Sequence, residues 1–167
     1  MRAIRKSSRS SRVFACANII QMEKDFDGWN KIKKEVNTHE LRWDFFYHQR
    51  EVWWCAAGVN IGVETDGKQI NFERPVLVIQ KFNKEMFWGV PLTSRERTEE
   101  FYEKITHEKG AAWAILTQMK TFSSKRLLRK IGMIPEEDFA KIQKRMCEFL
   151  LRIEPLHVGG ALGGRSH

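Results

Sequence analysis

The chain has 167 residues, enough for one domain with a substantial core. Apolar residues make up 42% and charged residues 30%, which excludes a disordered chain, and no apolar run approaches the length of a membrane span. Lys and Arg number 29 against 21 Asp and Glu, leaving a formal charge of +8 that favours polyanionic partners, although a merely soluble basic surface would carry the same excess. Cys16, Cys55 and Cys147 are odd in number and match no zinc or disulfide spacing, so buried reduced thiols are expected, with no metal and no cofactor. Asn18 and Gln21 interrupt the apolar residues that follow the basic amino terminus, so no secretory leader is read there and a cytoplasmic location is expected.

Residues 1–21 form a basic stretch, Ser- and Arg-rich over its first 12 residues, expected as a flexible tail able to touch nucleic acid or as a simple extension. Residues 22–49 form a second unit. Met22, Phe26, Trp29, Ile32 and Val36 recur at three- and four-residue steps, which predicts an amphipathic helix with Lys31, Lys33 and Lys34 on its wet side. The aromatics Trp43, Phe45, Phe46 and Tyr47 follow and are expected to pack this helix onto the body.

Residues 50–154 carry the main domain. Val52 to Ala57 reads as a strand closed by Gly58, and residues 58–72 as a long polar loop of the kind that is functional or mobile. Val76 to Ile79 is an unbroken apolar run that suits a strand buried on both faces. A turn at Lys81 to Lys84 leads to a third strand, Met86 to Leu92, with Pro91 at its edge or exit. Thr93 to Gly110 is charged and reads as a surface loop or hairpin, Ala111 to Met119 as a strand, Thr121 to Arg126 as a polar turn and Leu127 to Met133 as a last short strand. Pro135 is expected at the first position of a closing helix, with Glu136, Glu137 and Asp138 at its positive end and Phe139, Ile142, Met146, Phe149 and Ile153 on its apolar face. Residues 155–167 are Gly-rich and read as a flexible tail. Strands do not alternate with crossover helices, so the expected fold is α+β: a small, bent antiparallel barrel with helices packed outside.

One arrangement in this domain carries chemistry. Arg74-Pro75 begins a strand and Thr93-Ser94 ends the next, so an arginine and two hydroxyls can converge on an anion such as a phosphate. The plainer alternatives are a salt bridge from Arg74 to Glu73 or Glu64, and a turn begun by Thr93 and Ser94. Trp53 and Trp54 alternate faces, so one is expected in the core and the other near a ligand or a subunit seam.

Arg50 to Trp54, Gly62 with Glu64, Arg74-Pro75, Pro91 to Ser94, Gln118 with Lys120-Thr121, Ser124 to Leu127 and Ile131-Gly132 follow in the order found in the MazF/PemK toxins of toxin–antitoxin systems. Over roughly Arg50 to Leu151 the chain resembles that family. The resemblance implies an SH3-like barrel that forms a homodimer, acts as a metal-independent endoribonuclease on single-stranded RNA and is neutralised by a cognate antitoxin protein. It assigns catalysis to Arg74, Thr93 and Glu64 and RNA contacts to Ser94, Gln118, Lys120 and Thr121; on residue type His48 is a second candidate base, and Trp54 and Lys68 are further candidate RNA contacts. In such a reaction the substrate's own 2′-hydroxyl attacks the phosphorus. Arginine suits the charged phosphorane, because its fork donates two parallel hydrogen bonds and stays charged. On residue type alone, Glu64 reads equally as a solvated carboxylate and His48 as a structural imidazole beside Tyr47.

Two departures bear on the mechanism. Thr117 stands where several family members carry an acid, and Lys120 stands for an arginine, keeping charge without the fork. Residues 22–47 also precede the usual family start. The rival reading is a non-catalytic barrel that binds nucleic acid or a protein target such as DNA gyrase. Gyrase poisoning in the related group uses a carboxy-terminal tryptophan, and here the last tryptophan is Trp113.

Overall fold

The computed structural model describes residues 23–151; both expected tails, Met22, Cys16 and Ile153 lie outside the described residues. Among the described residues two α-helices flank seven strands: α1 (Phe26–Thr38), β1 (Glu51–Ala56), β2 (Glu73–Lys81), β3 (Met86–Thr93), β4 (Tyr102–His107), β5 (Gly110–Ile115), β6 (Lys120–Ser123), β7 (Leu127–Met133) and α2 (Glu136–Leu150). Every strand pairing is antiparallel, and the sheet runs β4-β5-β3-β2-β1-β7, with β6 on β3.

The sheet curls but does not close, which corrects the expected barrel. Its outer strands β4 and β7 do not pair, although Ile105 and Ile131 from those strands share one core cluster. The outer edge of β3 is divided: β6 takes Met86 to Gly89, and β5 takes Leu92 and Thr93. The edge at β4 is covered by α2 instead, where Asp138 accepts a hydrogen bond from the Thr106 amide at 3.0 Å.

Two hydrophobic clusters sandwich the central strands. Val52, Leu77, Ile79, Val90 and Leu92 face one cluster together with Phe139, Ile142 and Met146 of α2. Trp53, Cys55, Val76, Val78 and Phe87 face the other, closed by Tyr47 and Phe122. Alternation sends successive β2 residues to opposite faces, and both faces are dry, so the sequence from Val76 to Ile79 is continuously apolar.

Three local expectations shift. The strand expected to reach Met119 stops at Ile115, because Leu116–Gln118 forms a 3₁₀ turn that redirects the chain into β6. The expected polar turn from Thr121 therefore begins as a strand paired with β3. Pro135 is the N-cap of α2, with ψ 150°, rather than its first helical residue.

The amino-terminal helix docks chiefly through one side chain. Trp29 is the buried residue of α1. It sits on Gly58, whose φ of +87° and missing Cβ make the seat: a Cβ there would lie 2.3 Å from the indole. Arg126 lies over the same ring at 5.4 Å, and Phe72 meets it edge-on at 5.8 Å. The aromatic connection only partly packs as expected. Tyr47 is fully buried and its hydroxyl donates to Asn83 O at 2.8 Å, whereas Trp43 and Phe46 are 85% and 63% exposed. Cys147 is exposed, against expectation, because it lies on the wet face of α2. Among the described residues no helix is long and apolar enough to cross a membrane.

Candidate active site

Strand register brings the first two candidates together. β2 and β3 pair with Val76 opposite Pro91, and carrying that register on by two residues sets Arg74 opposite Thr93. The Arg74 guanidinium is clamped from two sides, donating from Nε to Asp66 O at 2.6 Å and from Nη1 to Leu92 O at 3.0 Å. Neither alternative salt bridge forms: Glu73 is buried and pairs with Arg129 at 2.7 Å, and Glu64 accepts from the Ile61 amide. Burial lowers the Arg74 pKa from its ordinary value and the nearby Asp66 charge opposes this; an arginine remains charged across the working pH range.

The clamp depends on order in residues 58–72. Gly67 N donates to Gly58 O at 2.7 Å, Asn60 N to the Asp66 carboxylate at 2.6 Å, and the Lys68 and Glu73 amides exchange bonds. Gly67 admits this fold-back because a Cβ would strike Phe72 O. Lys24 adds an ion pair to Asp66 at 2.8 Å. Gln118 accepts from the Thr65 amide at 3.2 Å, so the structure gives it a bracing role on the loop.

Around Arg74 lies a cleft of about 330 Å³ lined by Trp54, Lys68, Thr93, Ser94 and His107. An adjoining hollow of about 250 Å³ shares Lys68, Arg74 and Thr93 and adds Arg95 and Arg97. Arg97 Nε is buried there without a hydrogen-bond partner. The Thr93 hydroxyl oxygen accepts from the Arg95 amide at 3.2 Å, leaving its own proton to donate. Trp54 is the half-buried member of the tryptophan pair and carries Arg129 over its ring at 4.9 Å, while Trp53 is core.

His107 is a titratable lining residue that was not among the sequence candidates, as are Lys109 in the cleft and Arg95 and Arg97 in the adjoining hollow. His107 ends β4, and the β4–β5 hairpin delivers it to the cleft. The Lys109 amide donates to its Nδ1 at 3.2 Å, so a neutral ring carries its proton on Nε2 and is a donor there. Burial, and then the Lys109 charge, hold this imidazole below the ordinary histidine value, with Glu108 pulling the other way. The sequence signal was faint: a histidine before a Glu-Lys-Gly turn.

The remaining candidates lie elsewhere. Glu64 is exposed, accepts from the Ile61 amide at 3.2 Å and lines a separate hollow with Phe26 and Lys33. His48 is 67% exposed on its side chain and faces Glu51 at 3.4 Å, outside the cleft. Glu51 is buried and accepts from Trp53 Nε1, the His48 amide and Lys130. Burial pushes the Glu51 carboxyl up, but those hydrogen bonds outweigh it and hold the group below the usual carboxylate value. Lys120 and Thr121 line a third hollow beside α1. Burial pushes the Cys55 thiol up to about 12, so it is no nucleophile. Among the described residues no three His, Cys, Asp or Glu side chains group as ligands for an ion.

The fold is a curled antiparallel sheet with a clamped arginine and two hydroxyl side chains gathered at its strand ends. The profile of PemK-like, MazF-like toxins of type II toxin–antitoxin systems matches residues 48–150, more than half of the chain, and the chain belongs to that family. Its fold is similar to that of MazF from Deinococcus radiodurans, with a TM-score of 0.56 and 18% identity over 64% of this chain and 98% of that one. A MazE–MazF structure from the same organism gives a TM-score of 0.51 and 15% identity over 64% and 97%. No curated protein sequence matches this one.

Proposed function

We propose that the protein is the toxin of a toxin–antitoxin pair and cleaves single-stranded RNA at the Arg74 cleft, without a metal ion. The observation that carries this reading is the clamped Arg74 guanidinium sharing one cleft with Thr93, Ser94 and His107. The RNA 2′-hydroxyl attacks the adjacent phosphorus, a new P–O2′ bond forms, and the P–O5′ bond breaks to leave a 2′,3′-cyclic phosphate and a 5′-hydroxyl end. Arg74 stabilises the phosphorane charge, and Thr93, Ser94 and His107 Nε2 donate hydrogen bonds to its oxygens. Such donors act strongly because they are fixed before the charge develops. Lys68, Arg95 and Arg97 hold the flanking phosphates, and Trp54 sits beside the bases at the cleft wall.

The one carboxylate lining the cleft, that of Glu73, is paired with Arg129, and Glu64 and His48 do not line it. The 2′ proton therefore leaves to water, the departing 5′-oxygen takes a proton from water to become the 5′-hydroxyl, and the cleft works by stabilising charge. Family membership supports a homodimer and a protein antitoxin as partners. Incubating the protein with single-stranded RNA in EDTA tests the reading: discrete fragments ending in 2′,3′-cyclic phosphate are expected. RNA that is retarded but never cut would sink it in favour of a binding module.

A further inference from the structure

The helix that precedes the family match builds a second basic surface. α1 lies against the corner between β6 and β7, and two hollows open along that seam. One, of about 320 Å³, is lined by Lys33, Lys34, Lys125 and Arg126. The other, of about 280 Å³, is lined by Lys33, Lys120 and Arg126. They share Trp29, Lys33 and Arg126, so they adjoin as two parts of a channel along the seam, and no carboxylate lines either part. The neighbouring hollow, which shares Trp29, Lys33, Val59 and Asn60 with the second part, carries the acids Asp27 and Glu64.

These cations are held together without ion pairs. Arg126 donates to Ala56 O at 2.7 Å and Lys125 to Asn37 O at 2.8 Å, and both bonds are to neutral carbonyls. Lys33 and Lys34 are exposed, and neither has a carboxylate partner among the described residues. Burial, and then Arg126, make protonation of Lys120 harder than usual, with Glu64, Cys55 and Asp66 opposing. Crowded, unpaired positive charge along a channel is repulsive by itself and is relieved by a ligand with repeated negative charge.

The lining favours a phosphate backbone over a protein segment. A docking helix or strand needs apolar anchors, and here Trp29 and Phe122 are already buried. The Trp29 ring is covered by Arg126, so it offers no free face to a base. Asn30, Asn37 and Ser123 add neutral hydrogen-bonding groups. The channel and the cleft share no lining residue and are linked through β1, where Arg126 bonds Ala56 and the preceding residue, Cys55, pairs with Arg74.

We infer that the channel between α1 and the β6–β7 corner is a second nucleic-acid site, which holds the sugar–phosphate backbone of single-stranded RNA without reading its sequence. This deepens the ribonuclease reading and rests on RNA as the ligand, but not on cleavage. The test is K33A/K34A in the full chain carrying R74A, so that the RNA stays intact, with affinity for oligo-U and oligo-A measured across a salt series. Loss of two phosphate contacts is expected to flatten the slope of log K against log salt by about 1.4 and to weaken both oligomers alike. An unchanged slope and affinity overturn the inference. Unchanged RNA binding with weakened binding of poly-Glu also overturns it, and assigns the channel to an acidic protein. If the protein with Arg74 intact cuts no RNA but the lysine changes still flatten the slope, the cleavage reading fails and the channel stands.

Discussion

The cleft at Arg74 and the channel under α1 both collect positive charge, and they hold it by different means. In the cleft, a guanidinium is clamped between Asp66 O and Leu92 O on the rims of two strands. In the channel, Arg126 and Lys125 are also tied to carbonyls, but Lys33 and Lys34 stand exposed on a helix surface with heads free to follow a ligand. A fixed fork costs no reorganisation when charge develops on a reacting group, whereas mobile ammonium groups supply attraction with little geometric demand. The first suits a transition state and the second suits a backbone, so charge alone distinguishes nothing, while the tethering of each cation does.

The sharpest way to break this contrast is at Arg74. R74A is expected to lower single-turnover cleavage by roughly 10²–10³-fold, the cost of losing one preorganised donor. R74K should lose nearly as much, because a point charge cannot span two carbonyls and a phosphate. A fully active R74K would mean that the clamp is irrelevant.

Gly58 tests whether the two regions are separable. G58A forces a side chain into the Trp29 indole at a positive φ, and a destabilisation of about 2–3 kcal/mol is expected in a denaturant melt. The salt slope of RNA binding should flatten as it does without Lys33 and Lys34, while cleavage of a minimal substrate persists. Loss of cleavage as well would show the regions coupled through the loop at residues 58–72, whose Gly58–Phe72 and Gly58–Gly67 bonds brace both.

H107A removes one neutral donor, and a fall of about tenfold in cleavage is expected. Its pH signature has a definite sign. The folded imidazole titrates below its ordinary value of 6.5, so its contribution to stability is complete above that pH and is lost as pH falls through it. H107A should flatten that part of the stability profile. With water as proton acceptor, wild-type cleavage should keep rising through pH 7 to 9; a plateau near the histidine range would restore a side-chain base.

Glu51 supports neither region, and the smallest effect falls there. Its carboxyl titrates below the ordinary 4.5, so the stability it contributes is present above that value and drains away as pH falls. E51Q should reduce the acid sensitivity of the fold with cleavage and salt slope unchanged. A change in either functional readout would place Glu51 in the path between them.

Legibility in the sequence followed how local each feature is. Arg74 and Thr93 were readable because each marks a strand end, and a strand-to-strand register needs only the apolar runs between them. His107 was not readable, because it reaches the cleft through β4, β5 and β3 in turn, and the charged segment that hides β4 shows no clear alternation. Glu64 failed to join Arg74 for the same reason. Its position depends on how the loop folds back at Gly67 and on Gln118, 53 residues beyond Thr65.

The sequence by itself determined the two-sided burial of β2, the amphipathic faces of α1 and α2, the strand-end arginine and hydroxyls, and the excess of positive charge. These follow from periodicity, residue chemistry and composition, all of which act over a few neighbouring positions. Tertiary structure alone decided that the sheet stays open, that His107 rather than Glu64 or His48 lines the cleft, and that Lys33 of the extra helix shares a hollow with Lys120 and Arg126 of the family domain. Those outcomes depend on side chains tens of residues apart, and only the closing of the chain on its core brings them within reach of one another.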